Sequence, residues 1–101
     1  MSKVSVIAKL PLKPGTRDEL VAAFEPMLEK VNQEAGTEIY ILCSDQADEN
    51  LVWVYELYSD SDAMGAHSSS ETMASLLGVV GGLLEGEPGF HILTPIAGKG
   101  L

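Results

Sequence analysis

Two β-prone segments lie next to each other in the middle of the chain, and no other feature limits the possible folds as strongly. Residues 37–44 and 51–58 are rich in β-branched and aromatic residues, whereas the run 45–50 between them is polar. Such a pair predicts a β-hairpin. Alternating apolar residues predict an earlier strand over residues 3–12, and a final strand is predicted over residues 87–96.

A helical segment is predicted between the first two strands. Thr16 and Glu19 have the spacing of a capping box, and apolar residues then recur at three- and four-residue steps as far as about Glu34. Pro26 falls inside this segment. Because proline lacks an amide hydrogen and crowds the preceding turn, we expect the helix to bend there.

Helix-capping residues mark two further helices between the third and the last strand. The run 59–62 predicts a short helix that ends near His67. The spacing of Ser68 and Glu71 predicts the start of another helix. The residues expected on its buried side are Met73, Leu76, Leu77 and Val80.

The resulting order of strand, helix, strand, strand, helix, strand is that of the ferredoxin-like βαββαβ arrangement, an α+β fold. It places a four-stranded antiparallel sheet under helices that cover one face only. With 101 residues the chain is expected to form a single domain, residues 1–101, whose core spans about 3–96. Because a domain of this size gains from burying a bare sheet face against a partner subunit, oligomerisation is expected.

The charge balance excludes some classes of partner. The formal net charge is −9, from 15 acidic and 6 basic residues, and the basic residues do not cluster. We therefore expect no nucleic-acid binding and no role at a membrane surface. The sequence has no signal-peptide pattern and no run long enough to span a bilayer, which favours a cytoplasmic protein. The lone Cys43 lies in an apolar stretch and is expected to be a buried thiol.

Alternation along residues 51–58 divides the third strand into two sets of side chains. The set assigned to the helix-facing core, because all its members are large and apolar or aromatic, is Leu51, Trp53, Tyr55 and Leu57. The set assigned to the open face is Val52, Val54, Glu56 and Tyr58. If a second sheet covers that face, Glu56 becomes a buried acid whose pKa is raised; the alternative is a solvated strand carboxylate.

His67 is the second candidate for proton transfer. It follows Glu56 by 11 positions, close enough to fold back over the strand end. Histidine suits proton transfer near neutral pH. The alternative is a histidine at a helix end that interacts only with the helix dipole.

Three aromatic residues are candidates for contact with a substrate. Tyr40 and Tyr58 could present hydroxyls toward the same cavity, although tyrosines in strands are often core residues. Trp53 is interpreted as a core residue, and the alternative is a contact with the substrate. His91 has no evident partner in the sequence and is interpreted as a surface or edge residue.

Cofactor motifs are missing from the sequence. It has no Gly-rich phosphate loop, no Rossmann fingerprint, no pair of cysteines and no histidine pair at metal-ligand spacing. Nucleotide, flavin and structural-zinc binding therefore lack support. Cys43 has no assigned base, so a nucleophilic triad lacks support as well.

Several runs of residues carry a resemblance to a known family. The runs that resemble the first half of the family's domain are residues 4–15, Asp18-Glu19-Leu20 and residues 34–40. The most recognisable block is Trp53-Val54-Tyr55-Glu56-Leu57-Tyr58 followed by Asp60, Ala63 and His67. Over about residues 3–96 the chain resembles the antibiotic biosynthesis monooxygenase domain.

The resemblance implies a tight homodimer, a dimeric α+β barrel in which the two open sheet faces pack together and each subunit has a cavity. It implies oxygenation of a small aromatic, quinol or polyketide-like substrate by dioxygen, without metal, flavin or haem. By position it implies His67 and Glu56 as the acid–base pair, with Tyr40 and Tyr58 orienting the substrate. The haem-degrading branch of this fold has an Asn where this chain has Ala8, so haem degradation is not expected.

Two other functions would use the same kind of pocket. One is an isomerase of a small metabolite, for which turnover without oxygen is expected. The other is a non-catalytic dimer that sequesters a small hydrophobic molecule, for which affinity without conversion is expected.

Overall fold

The computed structural model describes residues 2–101. Its elements, in chain order, are β1 (Val4–Pro11), α1 (Arg17–Ala23), α2 (Glu25–Val31), β2 (Thr37–Ser44), β3 (Leu51–Tyr58), α3 (Ser61–Ser68), α4 (Glu71–Val80) and β4 (Gly89–Leu93). All four predicted strands are present. Strands β2 and β3 have the predicted bounds, whereas β4 is shorter than predicted at both ends.

The four strands form one antiparallel sheet in the order β2-β3-β1-β4. Strands β2 and β3 form the predicted hairpin, and β1 lies between β3 and β4. This order and the helices packed on the sheet are those of the ferredoxin-like α+β fold. The predicted fold class is confirmed.

The first predicted helix is divided into α1 and α2 at Phe24. Pro26 lies in the first turn of α2, where a helix does not need the missing amide hydrogen. The predicted single helix is therefore interrupted shortly before Pro26. The predicted capping box is wrong, because the Thr16 hydroxyl donates to the carbonyl of Lys13 at 2.8 Å.

Side-chain caps start the two later helices. An Asp60 carboxylate oxygen accepts a hydrogen bond from the Ala63 amide at 2.8 Å, and the Ser70 hydroxyl oxygen accepts one from the Met73 amide at 3.2 Å. Helix α3 ends at Ser68, so α4 begins later than its predicted start. Leu77 is 53% exposed, and its predicted burial on α4 is wrong.

The helices cover the sheet face opposite to the one assigned from the sequence. The β3 residues that face the helices, all of them buried, are Val52, Val54, Glu56 and Tyr58. Trp53 and Tyr55 lie on the open face, beside their cross-strand neighbours Lys9 and Ile7 of β1. The predicted face assignment is therefore wrong.

The error has a physical cause. Both β3 sets are mostly apolar, so alternation separates them without showing which one meets the helices. The side chains of Val52 and Val54 are smaller than those of Trp53 and Tyr55, and they leave room for Leu20 of α1 and other core residues. Size and aromatic character were the wrong criterion for assigning the faces.

Cys43 lies on the open face opposite Trp53 and is exposed, so its predicted burial is wrong for the single chain. His91 is exposed on the edge strand β4, as predicted. Across the described part of the chain, none of the helices combines the length and apolar character needed to cross a bilayer.

Candidate active site

A carboxyl group lies in the interior of the domain, at Glu56. Strand β3 runs between β1 and β2, and the register places Glu56 between Val6 and Tyr40. Helices pack over this face of the sheet, so Glu56 is only 8% exposed. One subunit therefore buries this carboxyl group by itself, whereas the sequence had suggested that a second sheet would be needed.

Tyr58 holds the Glu56 carboxyl group in place. It lies two positions further along the same face of β3, and its hydroxyl donates a hydrogen bond to Glu56 Oε1. Burial raises the pKa of Glu56, while the Tyr58 hydrogen bond and the charge of a protonated His67 oppose that rise without cancelling it. Glu56 is thereby shifted toward the range in which a carboxyl group can both accept and donate a proton near neutral pH.

His67 comes from the last turn of α3 and packs beside both tyrosines. Its ring centroid is 5.1 Å from that of Tyr40 and 5.4 Å from that of Tyr58. The His67 side chain is 2% exposed. A histidine that only interacted with the helix dipole would not need this burial, so the alternative of a simple helix-end histidine is not supported.

Glu34 is the hydrogen-bond partner of His67. Its Oε1 lies 3.0 Å from His67 Nδ1. The same carboxylate accepts hydrogen bonds from Lys30 and from the Thr37 hydroxyl. Burial alone would raise the pKa of Glu34, but these hydrogen bonds and the His67 charge outweigh it, and the pKa is lowered.

A cavity of about 150 Å³ lies between the sheet and α4, with Glu56 in its wall. Its two polar side chains are Glu56 and Tyr40. The rest of the lining is apolar and consists of Ala8, Leu10, Phe24, Val54, Met73, Leu76, Leu77, Val80, Gly81, Leu84, Pro88 and Phe90. An apolar pocket with few polar groups is typical of a small-molecule site.

Tyr40 completes the polar end of the cavity. It lies directly across the β2–β3 pair from Glu56. Burial and the charges of Glu56 and Glu34 raise the pKa of Tyr40, so its hydroxyl stays protonated and can donate a hydrogen bond to a guest molecule. Burial and the hydrogen bond to Glu56 raise the pKa of Tyr58 in the same way.

The five residues predicted for the site take three kinds of position. Glu56 and Tyr40 line the cavity. His67 and Tyr58 lie behind that wall, in contact with each other and with the lining residues. Trp53 does not join them: its indole nitrogen donates to Asp45 Oδ2 at 2.9 Å, and Lys9 lies over its ring on the open face.

The profile of the antibiotic biosynthesis monooxygenase family matches residues 3–78, a range that contains Glu34, Tyr40, Glu56 and His67. The chain belongs to this family. The match covers β1 through most of α4. No protein of curated function matches the chain closely enough to count as a relative.

Solved structures are similar to this family member over nearly their whole length. A Caulobacter crescentus protein, described as an antibiotic biosynthesis monooxygenase, has a TM-score of 0.89 and 25% sequence identity to this chain. The alignment covers 95% of this chain and 92% of that protein. A Mycobacterium tuberculosis protein has a TM-score of 0.88 and 26% sequence identity, and the alignment covers 97% of this chain and 99% of that protein. A Pseudomonas aeruginosa protein has a TM-score of 0.83 and 23% sequence identity, and the alignment covers 96% of this chain and 97% of that protein. At this identity the similarity shows the shared fold alone.

Sequence reasoning missed Glu34 as a residue of the candidate site in this family member. One signal was available, because a carboxylate just beyond the C-terminus of a helix is disfavoured by the helix dipole and so suggests another role. The apolar lining from Phe24, α4 and the segment before β4 gave no such signal. Within residues 2–101, no three side chains of His, Cys, Asp or Glu are grouped so that they could hold a metal ion.

Proposed function

We propose that this protein is a monooxygenase that oxygenates a single-ring phenol or quinol bound in the cavity beside Glu56. The observation that carries the proposal is a buried carboxyl group with a raised pKa in the wall of an otherwise apolar cavity. Membership of the antibiotic biosynthesis monooxygenase family supports the reaction class. The choice of substrate comes from the size and polarity of the cavity.

The volume favours one aromatic ring over several. A closed apolar cavity of about 150 Å³ accepts a molecule of the size of benzene. The cavity here has a volume of about 150 Å³. The space in the cavity therefore matches a single aromatic ring.

The proposed reaction balances with dioxygen as the only other reactant. A hydroquinone and O₂ give a hydroxyquinone and water, so one oxygen atom enters the ring and the other leaves as water. The quinol supplies all four electrons. Removal of the hydroxyl proton makes the ring electron-rich, and the resulting anion carries out the reduction of oxygen, so the proposal includes no cofactor.

In this scheme Glu56 accepts the hydroxyl proton and returns it to the reduced oxygen. Tyr40 donates a hydrogen bond to the ring oxygen and orients the guest. His67 stabilises the Glu56 anion by its charge when it is protonated, and Tyr58 fixes the direction of the carboxyl group. The apolar lining keeps water away from the reduced intermediate.

Oxygen uptake with a set of single-ring hydroquinones tests the proposal. We expect uptake with at least one of them and, under ¹⁸O₂, one labelled oxygen atom in the hydroxyquinone product. Glu56→Gln should reduce kcat by about 10²-fold or more, because it removes the proton acceptor. Trp53→Phe is the matched control: it changes a residue of the same strand on the opposite face and should leave kcat unchanged.

Three outcomes would contradict the proposal. Turnover under strict anaerobiosis would indicate an isomerase. Binding without conversion in air would indicate a protein that sequesters its ligand. Equal kcat in Glu56→Gln and the wild type would remove Glu56 from the chemistry.

We also propose that a second copy of the chain covers the open sheet face. Exposed apolar residues on that face include Ile41 and Tyr55, which pair with each other across β2 and β3. None of the paired strand residues on this face is acidic, although the chain carries 15 acidic residues. The paired strand positions therefore add no negative charge to the surface on which two copies would meet.

A further inference from the structure

The contact between His67 and Glu34 determines where the imidazole proton lies. A carboxylate can only accept hydrogen bonds, so His67 Nδ1, which lies 3.0 Å from Glu34 Oε1, must carry a hydrogen to bond with it. The other ring nitrogen, Nε2, is buried and has no hydrogen-bond partner within residues 2–101. In the neutral ring the lone pair is therefore on Nε2.

We propose that Glu34 is a positioning residue that holds His67 in the tautomer with hydrogen on Nδ1 and keeps Nε2 as the free, buried proton acceptor. The inference rests on the proposed function in one respect: Nε2 is the atom at which His67 takes up the proton whose charge stabilises the Glu56 anion. The tautomer itself depends only on the geometry.

The surroundings of Glu34 keep it a hydrogen-bond acceptor and not a proton relay. Its carboxylate accepts from three donors, which are Lys30, the Thr37 hydroxyl at 2.8 Å and His67. Together they lower the pKa of Glu34 in spite of its partial burial. A carboxylate stabilised in this way remains ionised at neutral pH, where it accepts the Nδ1 hydrogen and orients the ring.

Glu34 does not line the cavity. It borders a separate groove on the other side of His67, together with Lys30, Thr37 and Ala63. A substrate in the cavity therefore meets Glu56 and Tyr40 and does not meet Glu34. The direct contact of Glu34 with the site is its hydrogen bond to His67, and its charge also raises the pKa of Tyr40.

The close approach of two backbone segments maintains this contact. Gly36, which immediately precedes β2, lies so near to α3 that an added Cβ atom would be 2.5 Å from the Cβ of Ala63. The Gly36 carbonyl also accepts a hydrogen bond from the Ser59 amide at 2.9 Å. The segment that carries Glu34 and the helix that carries His67 are thus held together independently of the two side chains.

Nitrogen NMR of the histidine side chains tests the inference directly. The chain has two histidines, and the exposed His91 serves as an internal reference. In a pH series on ¹⁵N-histidine-labelled protein, we expect neutral His67 to show a protonated Nδ1 and an unprotonated Nε2. In Glu34→Ala that preference should be lost, whereas Glu34→Gln, which keeps an acceptor oxygen, should retain it.

The inference is overturned if neutral wild-type His67 carries its hydrogen on Nε2, if it stays doubly protonated at every pH, or if Glu34→Ala leaves its spectrum unchanged. Kinetics provide a second readout. Glu34→Ala should lower kcat by about 10²-fold with KM unchanged, because Glu34 acts on His67 and does not contact the guest. If the tautomer is as expected but no quinol is oxygenated, the proposed function fails and the positioning role stands.

Discussion

At the scale of single residues, the sequence identified most of the polar groups of the site but not how they are connected. Glu56 and His67 were recognisable because an acid among apolar strand residues and a histidine shortly after it suit proton transfer. Glu34 was not recognised, since its partner His67 is 33 positions away and only the packed fold brings them together. Trp53 was placed on the wrong face together with its whole strand set.

The buried acid should make stability depend on pH in a defined direction. The pKa of Glu56 is raised above the ordinary glutamate value of 4.5. Between that value and the raised folded-state pKa, the folded protein binds more protons than the unfolded chain, so stability falls as pH increases through this window. Above the folded-state pKa the full destabilisation is present.

Glu56→Gln should therefore raise Tm at pH 8 and have little effect at pH 4. Each kcal/mol recovered raises the Tm of a domain of this size by about 4–8 °C. The lowered pKa of Glu34 acts in the opposite sense, giving stability that is lost as pH falls through its folded-state pKa, but it is common to both proteins and cancels in the difference. Calorimetry over this pH range checks the prediction, and a Tm difference that does not change with pH would contradict it.

At the scale of helices and strands, local sequence signals were reliable where local chemistry decides the structure. The bounds of β2 and β3 follow from β-propensity and a polar loop, and the break before Pro26 follows from its missing amide hydrogen. The face of the sheet that meets the helices could not be predicted from β3 alone, because both of its sides are mostly apolar. The register with β1 settles it, since Glu56 pairs with the buried Val6.

The contact between β2 and α3 makes Gly36 sensitive to a single added methyl group. Gly36→Ala would place a Cβ atom 2.5 Å from the Ala63 Cβ, so α3 must move away and the Glu34–His67 hydrogen bond must lengthen. We expect a loss of about 1–3 kcal/mol in unfolding free energy and reduced kcat. Urea denaturation and oxygen-uptake kinetics measure the two effects.

Gly65→Ala is the matched control, because a Cβ atom added at that position of α3 meets nothing within 4 Å. It should stabilise the helix by up to about 1 kcal/mol. Combining Gly36→Ala with Ala63→Gly should restore part of the lost activity. If Gly36→Ala had the stability and kcat of the wild type, the backbone contact would have no role in holding the histidine.

At the scale of the whole molecule, the helices cover one face of the sheet and leave the other open. Residues of one chain line the cavity on the helix side of the sheet, so a partner copy would not have to contribute side chains to the cavity wall described above. Its contribution would be to remove exposed side chains such as Ile41 and Tyr55 from water. Assembly and chemistry are expected to be separable.

Charge substitution on the open face tests assembly. Sedimentation equilibrium of the wild type should give twice the chain mass of 10.8 kDa. Ile41→Glu should shift the molecule to the monomer, because it places a carboxylate in a desolvated contact. Val79→Glu is the matched control: Val79 on α4 is 51% exposed against 52% for Ile41 but faces away from the open sheet, so the dimer should persist.

A monomeric wild type, or equal dissociation by both substitutions, would contradict the proposed dimer. The proposed reaction would be unaffected by that result. Because Glu56 is buried within one chain, a monomeric Ile41→Glu variant should keep its kcat.

The position of β4 bears on how a substrate enters the cavity and how a product leaves it. This five-residue edge strand follows Pro88 and contributes Phe90 to the cavity wall, and Phe90 is 59% exposed. A short strand held by one neighbour detaches at a smaller free energy than the central strands do. Entry of the quinol and release of its oxidised product would then depend on how often β4 separates from β1. This separation would limit turnover without being part of the chemical step.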